Sequence, residues 1–351
     1  MSTRQHEAVV LGATGYVGAE VLRLIAGHPN LKLGAAVARS AVGKAIGDDW
    51  PHLRGAYAGV QYQALDAVPL EGDGVLAVFS CLPHGAGATQ LDEWLGALEG
   101  AGRSYRVVDL AADFRLPGPA DWLSVYGEPH GAPGRYPQFA CALPDLTPGQ
   151  PSELMAHPGC FTTATTLGAA PLCEGGLIEP GLFVSAITGS TGSGREAKAG
   201  THHPDRHGNL SAYNPLRHRH APEMEMLLGR LGGVQPEVSF VPHSGPFARG
   251  IHATLHARLR EPLDAAELRA MYREFYGASP FVAISEEPPK LKEVVGSNRC
   301  HIGIAARGHE VVVFSVIDNL IKGAAGGAVQ WMNRLLDLPD TAGLEAPALA
   351  W

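Results

Sequence analysis

Ala8-Val9-Val10-Leu11-Gly12-Ala13-Thr14-Gly15-Tyr16-Val17-Gly18 decides the fold. A short continuous apolar run leads into closely spaced glycines, and a helical pattern follows at once over residues 20–26. Alone, the GxxGxxG spacing of Gly12, Gly15 and Gly18 is a tight turn. Between a buried strand and a helix it predicts a dinucleotide site, because glycines let backbone approach a pyrophosphate that rests on the helix N-terminus. Gly12, Thr14, Gly15, Tyr16, Val17 and Gly18 are the candidate cofactor residues, and the fold they imply is α/β with a Rossmann-type parallel sheet.

Further strands extend that sheet. The strand over 31–38 ends in Arg39-Ser40. An acidic residue there would bond the ribose 2′-hydroxyl of NAD, whereas Arg with Ser suits the 2′-phosphate of NADP; an ordinary exposed arginine is the other reading. A strand over 75–80 runs into Cys81-Leu82-Pro83-His84-Gly85, and one over 106–110 into Ala111-Ala112-Asp113-Phe114-Arg115. Loops at the C-terminal ends of parallel strands line ligand crevices. Leu82, Pro83 and His84 are therefore assigned to the cofactor and Arg115 to the substrate, although Asp113 and Arg115 can equally serve to pair with each other. Residues 117–151, rich in Pro and Gly, read as a long irregular connection.

Composition narrows the function. A chain of 351 residues buries a large core and most naturally forms two domains. With 45% hydrophobic and 18% charged residues it reads as a globular chain, and a formal charge of -8 argues against general nucleic-acid or anionic-membrane binding. The polar start and the absence of a membrane-length apolar run predict no leader and a cytoplasmic location. Five cysteines, scattered without a CxxC pair, fit free thiols rather than disulfides or structural zinc.

One of the five stands apart. His157-Pro158-Gly159-Cys160-Phe161-Thr162-Thr163-Ala164 breaks the chain with Pro and Gly and then starts a helix, predicted to run to about residue 173. A thiol at a helix N-terminus meets unpaired N–H groups and the positive end of the dipole, which favour a thiolate and can hold an oxyanion. A small residue packing a helix end is the alternative. Downstream, Gly189-Ser190-Thr191-Gly192-Ser193-Gly194-Arg195 offers backbone donors and a guanidinium, suited to phosphate or carboxylate, or else is a flexible loop. Thr201-His202-His203-Pro204-Asp205-Arg206-His207 is a polar loop that lacks partners for a metal, so no metal site is predicted. Arg217-His218-Arg219-His220 precedes a helix opened by Pro222 and Glu223, and a histidine there is the natural proton-transfer partner of a catalytic Cys160.

The remaining pattern, strand-rich over 237–258 and 299–318 with a helix over 265–276, predicts an α+β second domain on a mostly antiparallel sheet. A small-residue helix from about 317 to 336 is expected to return to the first domain. That gives a discontinuous NADP-binding domain of 1–156 plus 318–351 and a catalytic domain of 157–317. The tail from 337 is expected to be loosely ordered, although its apolar residues can dock.

Assembled, these residues resemble the N-acetyl-γ-glutamyl-phosphate reductases of arginine biosynthesis. The resemblance rests on the 12–18 turn, Leu82-Pro83-His84-Gly85, Ala112-Asp113-Phe114-Arg115-Leu116, Pro158-Gly159-Cys160, His218-Arg219-His220 with Pro222-Glu223, Arg249-Gly250-Ile251, Gly296-Ser297-Asn298 and Asp318-Asn319-Leu320 with Lys322-Gly323. It implies a second domain of the semialdehyde-dehydrogenase or glyceraldehyde-phosphate-dehydrogenase type, NADPH as hydride donor, an acyl phosphate as small-molecule substrate, and a homodimer or homotetramer. Cys160 becomes the nucleophile forming a thioester, with His220 favoured over His218 as acid/base group and Glu223 counted in the catalytic set. Gly192 and Asn319 are assigned to the cofactor, and Ser190, Arg195 and Arg249 to the substrate.

Phe161-Thr162 and the His202-His203 loop depart from the usual pattern. The loop is similar to relatives that reduce an amino-acid phosphate attached to a small acidic carrier protein, for which Arg206, Arg217 and Arg219 would supply a basic patch. That substrate is the alternative reading, and a non-catalytic NADP-binding protein is the remote one.

Overall fold

A computed structural model describes residues 5–349 and divides into two compact units. The first runs to Ala142 and adds Gly149–His157 and Ala324–Glu345; the second comprises Leu143–Pro148, Pro158–Gly323 and the chain from Ala346 onward. Compared with the sequence-based boundaries, residues 143–148, 318–323 and 346–349 fall in the second unit. Polar bonds hold them there. Asp145 accepts from Lys322 Nζ at 2.5 Å and from Ser279 Oγ at 2.7 Å, Asn319 Oδ1 accepts the Gly250 amide at 2.7 Å, and the Leu349 amide donates to the Val295 carbonyl at 2.9 Å.

In the first unit β1 (His6–Leu11), β2 (Leu31–Val37), β3 (Leu76–Ser80), β4 (Tyr105–Asp109), β5 (Phe139–Cys141) and β6 (Leu154–Ala156) form one parallel sheet in the order β2-β1-β3-β4-β6-β5. Helices α1 (Tyr16–Ala26), α2 (Ile46–Asp49), α3 (Ala86–Gly100) and α4 (Pro119–Tyr126) belong to the same unit. Ala8, Val9, Val10 and Leu11 are all buried, as a parallel strand covered on both faces requires. The stretch expected to be irregular holds α4 and β5. Pro119 starts α4, where its missing N–H costs nothing, left-handed Gly127 ends it, and buried Trp122 stacks on Tyr126 at 3.9 Å.

The second unit carries β7 (Ile178–Thr188), β8 (Ser211–Ala212), β9 (Glu237–Ser244), β10 (Ile251–Leu259), β11 (Val282–Ile284), β12 (Cys300–Arg307) and β13 (Glu310–Ile317), ordered β11-β12-β13-β10-β7-β9-β8. Only β11–β12 and β7–β9 pair in parallel, so the sheet is mostly antiparallel. Its helices are α5 (Cys160–Glu174), α6 (His203–Arg206), α7 (Ala221–Gly229) and α8 (Ala265–Phe275).

Alternate strand residues Val184, Ala186, Ala253, Leu255, Val313 and Phe240 form one core cluster with residues of α5. Every α5 residue from Phe161 to Cys173 is buried, the mark of a helix enclosed on all sides. Pro171 inside it cannot donate to the Leu167 carbonyl. The Tyr276 hydroxyl does so instead at 2.5 Å, and the Tyr272 hydroxyl donates to the Gly168 carbonyl at 2.7 Å. Asp264 and Glu267 close a capping box on α8.

The final helix, α9 (Gly326–Leu335), packs on α1 and β4 in the first unit. A five-residue π-turn, Ile321–Ala325, interrupts what the sequence predicted as one helix. The tail is docked rather than loose. Leu344 is buried, Arg334 pairs with Asp340 at 2.6 Å, and Asn333 bridges the Ala342 carbonyl and the His28 ring at 2.9 Å each. The expectation for Ala350 and Trp351 lies outside the described residues. Among the described residues no helix is long and apolar enough to cross a membrane.

Candidate active site

Cys160 is the first residue of α5, and Gly159 before it takes extended backbone with no side-chain cap. Two elements of the second unit enclose this turn. From the first turn of α7, the buried Glu223 carboxylate accepts the Gly159 amide at 2.9 Å and the Thr162 hydroxyl at 3.0 Å. A carboxylate is favoured there by the positive end of α5. From the end of the second unit's longest segment, Gly323 approaches so closely that a β-carbon on it would lie 2.7 Å from Cys160 Cβ. Its neighbour Lys322 is anchored on Asp145, with both side chains 1% exposed or less.

His220 stands at the N-cap of α7 with its ring against Gly159: a β-carbon on that glycine would collide with Nε2 and lie 2.8 Å from Cδ2. His218 sits 4.6 Å from it, ring centre to ring centre, enclosed by Phe161, Tyr213 and Phe240. Burial, aided by the Arg219 charge, pushes the His218 pKa down to about 4, so it is neutral near pH 7. Its Nδ1 accepts the His220 amide at 3.1 Å, which leaves the ring proton on Nε2.

These residues border a pocket of about 340 Å³. Thr188, Gly192, Ser193 and Lys198 line it from the end of β7 and the loop that follows, and Tyr213, Asn214, Arg217 and Arg219 from the segment before α7, together with the two histidines, Cys160 and Phe161. Three cations and no carboxylate are among the lining residues, the electrostatic setting for a multiply charged anion.

Other candidates stand elsewhere. Arg249 Nε pairs with fully buried Asp318 at 3.3 Å, and neither Arg249, Arg195 nor Ser190 lines the pocket. Asn319 bonds Gly250 and, at 3.0 Å, the Thr191 hydroxyl, so it braces the loop that carries Gly192. Arg206 points its guanidinium at the Ser244 and Gly245 carbonyls rather than outward as part of a basic patch. His202 and Asp205 are exposed and 3.8 Å apart. Among the described residues no group of three potential ligands is placed to hold a metal. No motif or spacing in the sequence assigns Thr188, Lys198, Tyr213 or Asn214 to the site.

In the first unit Gly12 has φ +73°, and a β-carbon there would collide with the Cys81 carbonyl; one at Gly18 would lie 2.6 Å from the Gly12 carbonyl oxygen. Gly15 heads α1 with no side chain capping it. This bare cradle on a helix N-terminus fits a pyrophosphate. Thr14, Tyr16 and Val17 are half-buried around it, Arg39 and Ser40 are exposed at the end of β2, and Leu82, Pro83 and His84 follow β3. Asp113 accepts the Gly85 amide at 2.8 Å, which steadies that loop. Burial and the Asp109 charge raise Asp113 to about 7, and burial raises Asp109 to about 6. Arg115 is buried and donates to the Leu110 carbonyl at 2.7 Å.

Family models for known proteins match both halves: "Semialdehyde dehydrogenase, NAD binding domain" over residues 7–148 and "Semialdehyde dehydrogenase, dimerisation domain" over 160–319. The chain is similar to N-acetyl-gamma-glutamyl-phosphate reductases of Azotobacter vinelandii (40% identity over 347 residues, 97% of this chain and 98% of the relative) and Halorhodospira halophila (42% over 352 residues, 97% and 98%). Among solved structures it is similar to aspartate semialdehyde dehydrogenase II of Vibrio cholerae complexed with ASA (TM-score 0.68, 16% identity, 95% of this chain and 99% of that one). It is also similar to aspartate semialdehyde dehydrogenase of Candida albicans with NADP (0.68, 20%, 97% and 99%). At such identities these two structures speak for the fold alone.

Proposed function

Since the chain belongs to the N-acetyl-γ-glutamyl-phosphate reductase family, we propose that it reduces N-acetyl-γ-glutamyl phosphate to N-acetylglutamate semialdehyde and phosphate, with NADPH, in arginine biosynthesis. The observation that carries this reading is Cys160 at the head of α5, packed on by Gly323 and preceded by the Gly159 on which His220 lies, in a pocket lined by cations.

The Cys160 thiolate attacks the acyl carbon; the carbon–oxygen bond to phosphate breaks, phosphate leaves, and a thioester remains on the sulfur. The uncapped N–H groups of the first turn of α5 face the oxyanion of this step. The 12–18 turn, with Arg39 and Ser40 at a 2′-phosphate, would hold NADPH, whose chemistry there is hydride donation to the thioester carbon. His220 takes the thiol proton at the outset and manages the proton on the thiohemiacetal oxygen. As that proton leaves, the carbon–sulfur bond breaks, the aldehyde departs and Cys160 is again a thiolate. His218, neutral and fixed by three aromatic rings, positions His220 through its backbone amide. Glu223, placed with the catalytic residues by resemblance, acts through the Gly159 turn and is a positioning residue.

The names of the relatives support the acetylated substrate over a carrier-linked one, and the inward-turned Arg206 removes one cation from the patch a carrier would use. We further propose a homodimer formed over the outer face of the second sheet, where Phe183 is 46% exposed and cross-strand neighbours continue the face through His256 and Val312; the matching model is itself called a dimerisation domain. A cytoplasmic location fits five free cysteines.

The decisive experiment runs the reaction backwards, following NADPH formation from N-acetylglutamate semialdehyde with and without phosphate. The expected result is phosphate-dependent activity that falls on the order of a thousandfold or more in Cys160→Ser while NADPH binding persists. A folded, NADPH-binding protein inert toward this aldehyde counts against the acetylated substrate.

A further inference from the structure

The two chain segments that line the Cys160 pocket differ in chemistry, and the difference assigns the ends of the substrate; the assignment rests on the acyl-phosphate reading above. In the segment after β7 the Lys198 ammonium stands 3.4 Å from the Ser193 carbonyl, and its backbone is closed into a turn by Thr201, whose hydroxyl accepts the Lys198 amide at 3.1 Å. Thr188 supplies an independent observation. The residue is 3% exposed and lines the pocket, yet its hydroxyl has no hydrogen-bond partner among the described residues. A buried hydroxyl costs free energy until a group meets it, so it marks where a polar ligand atom belongs.

In the segment before α7 the Arg217 guanidinium emerges from a loop in which Asn214 (φ 44°) and Leu216 (φ 59°) both adopt left-handed backbone. Residues other than glycine keep that conformation only where their surroundings impose it. Arg217 is thus presented by a conformationally restricted segment, and it makes no side-chain hydrogen bond or ion pair with another described residue.

We propose that Lys198, with the hydroxyls of Thr188 and Ser193, forms the subsite for the phosphate, and that Arg217 takes the carboxylate at the other end of the substrate. A phosphate presents oxygens in three directions and suits separate donors around a point charge, whereas a carboxylate is planar and matches the guanidinium fork. With the acyl carbon at Cys160, the leaving group points to Thr188 and Lys198 and the amino-acid end to Arg217. Lys198 is a substrate-binding residue that decides how tightly phosphate is held in either direction of the reaction.

Inorganic phosphate is the probe. Its protection of Cys160 against iodoacetamide, read from the mass of the modified peptide, reports binding without turnover. Phosphate is expected to slow alkylation saturably in the unaltered enzyme. Lys198→Met and Thr188→Val should each raise the half-protecting concentration about tenfold or more, the effect of losing a hydrogen bond to a charged group, while Arg217→Gln leaves it within about twofold. In the reverse reaction Lys198→Met should raise the KM for phosphate and Arg217→Gln the KM for the aldehyde.

Equal protection in the unaltered enzyme and Lys198→Met overturns the proposal. So does an absence of protection, or a Lys198→Met defect confined to the aldehyde. The two readings fail separately: Lys198-dependent protection without turnover of the acetylated aldehyde retires the substrate and keeps the subsite, whereas turnover without Lys198-dependent protection does the reverse.

Discussion

At the scale of the residue, the two histidines do different work because their surroundings differ. His220 lies on Gly159, one residue from the sulfur, while His218 is walled by aromatic rings and spends Nδ1 on a backbone amide. His220→Asn is therefore expected to lower kcat by about a hundred- to ten-thousandfold. His218→Asn should cost less and leave the pH profile of kcat with the same limbs; a limb lost in that variant would transfer the proton-handling role to His218.

His218 also sets a stability trend. Its pKa falls from the ordinary 6.5 to about 4 on folding, so the unfolded chain binds more protons between those values. The neutral ring's contribution is complete above pH 6.5 and is lost as pH falls toward 4. Urea unfolding of His218→Asn should show that part of the acid destabilisation removed; an unchanged pH slope would rule it out.

At the scale of the element, α5 is held where the Tyr276 hydroxyl replaces the donor that Pro171 removed and the Tyr272 hydroxyl braces the next carbonyl. Tyr276→Phe leaves the Leu167 carbonyl buried without a donor and should cost about 1–3 kcal/mol, measured as a shift in urea midpoint at constant slope. Turnover per folded molecule should stay unchanged, since the head of α5 is held separately by Glu223.

Elements with a long periodic pattern were the legible ones: β1 into α1, and α5 behind its Pro-Gly break. The three-residue strands β5 and β6 carry no period to read, and α4 was masked by the prolines and glycines that in fact bound it. The pocket lining escaped for another reason. Thr188 and Lys198 meet residues 213–220 only because β8 pairs with β9, which lies beside β7, a juxtaposition no local spacing encodes. Arg249 reads in the sequence as a free cation, whereas the fold supplies Asp318 as its partner.

At the scale of the whole molecule, the second sheet is covered by helices on one face and carries an exposed phenylalanine on the other. Light scattering should report a dimer, and Phe183→Glu should shift it toward monomer, since a charge set into an apolar contact is costly to desolvate. A Phe183→Glu protein that stays dimeric moves the interface elsewhere.

The return of α9 to the first unit bears on how the chain is born. β1 and α1 leave the ribosome about three hundred residues before the helix that packs on α1 and β4. Nascent chains stalled before Gly326 therefore hold a nucleotide-binding sheet with an uncovered flank, open to chaperones and proteases. A protein truncated there should bind NADPH poorly while its second unit still folds. Cofactor competence is thus expected only once α9 has been made, far along the chain from the glycine turn that it supports.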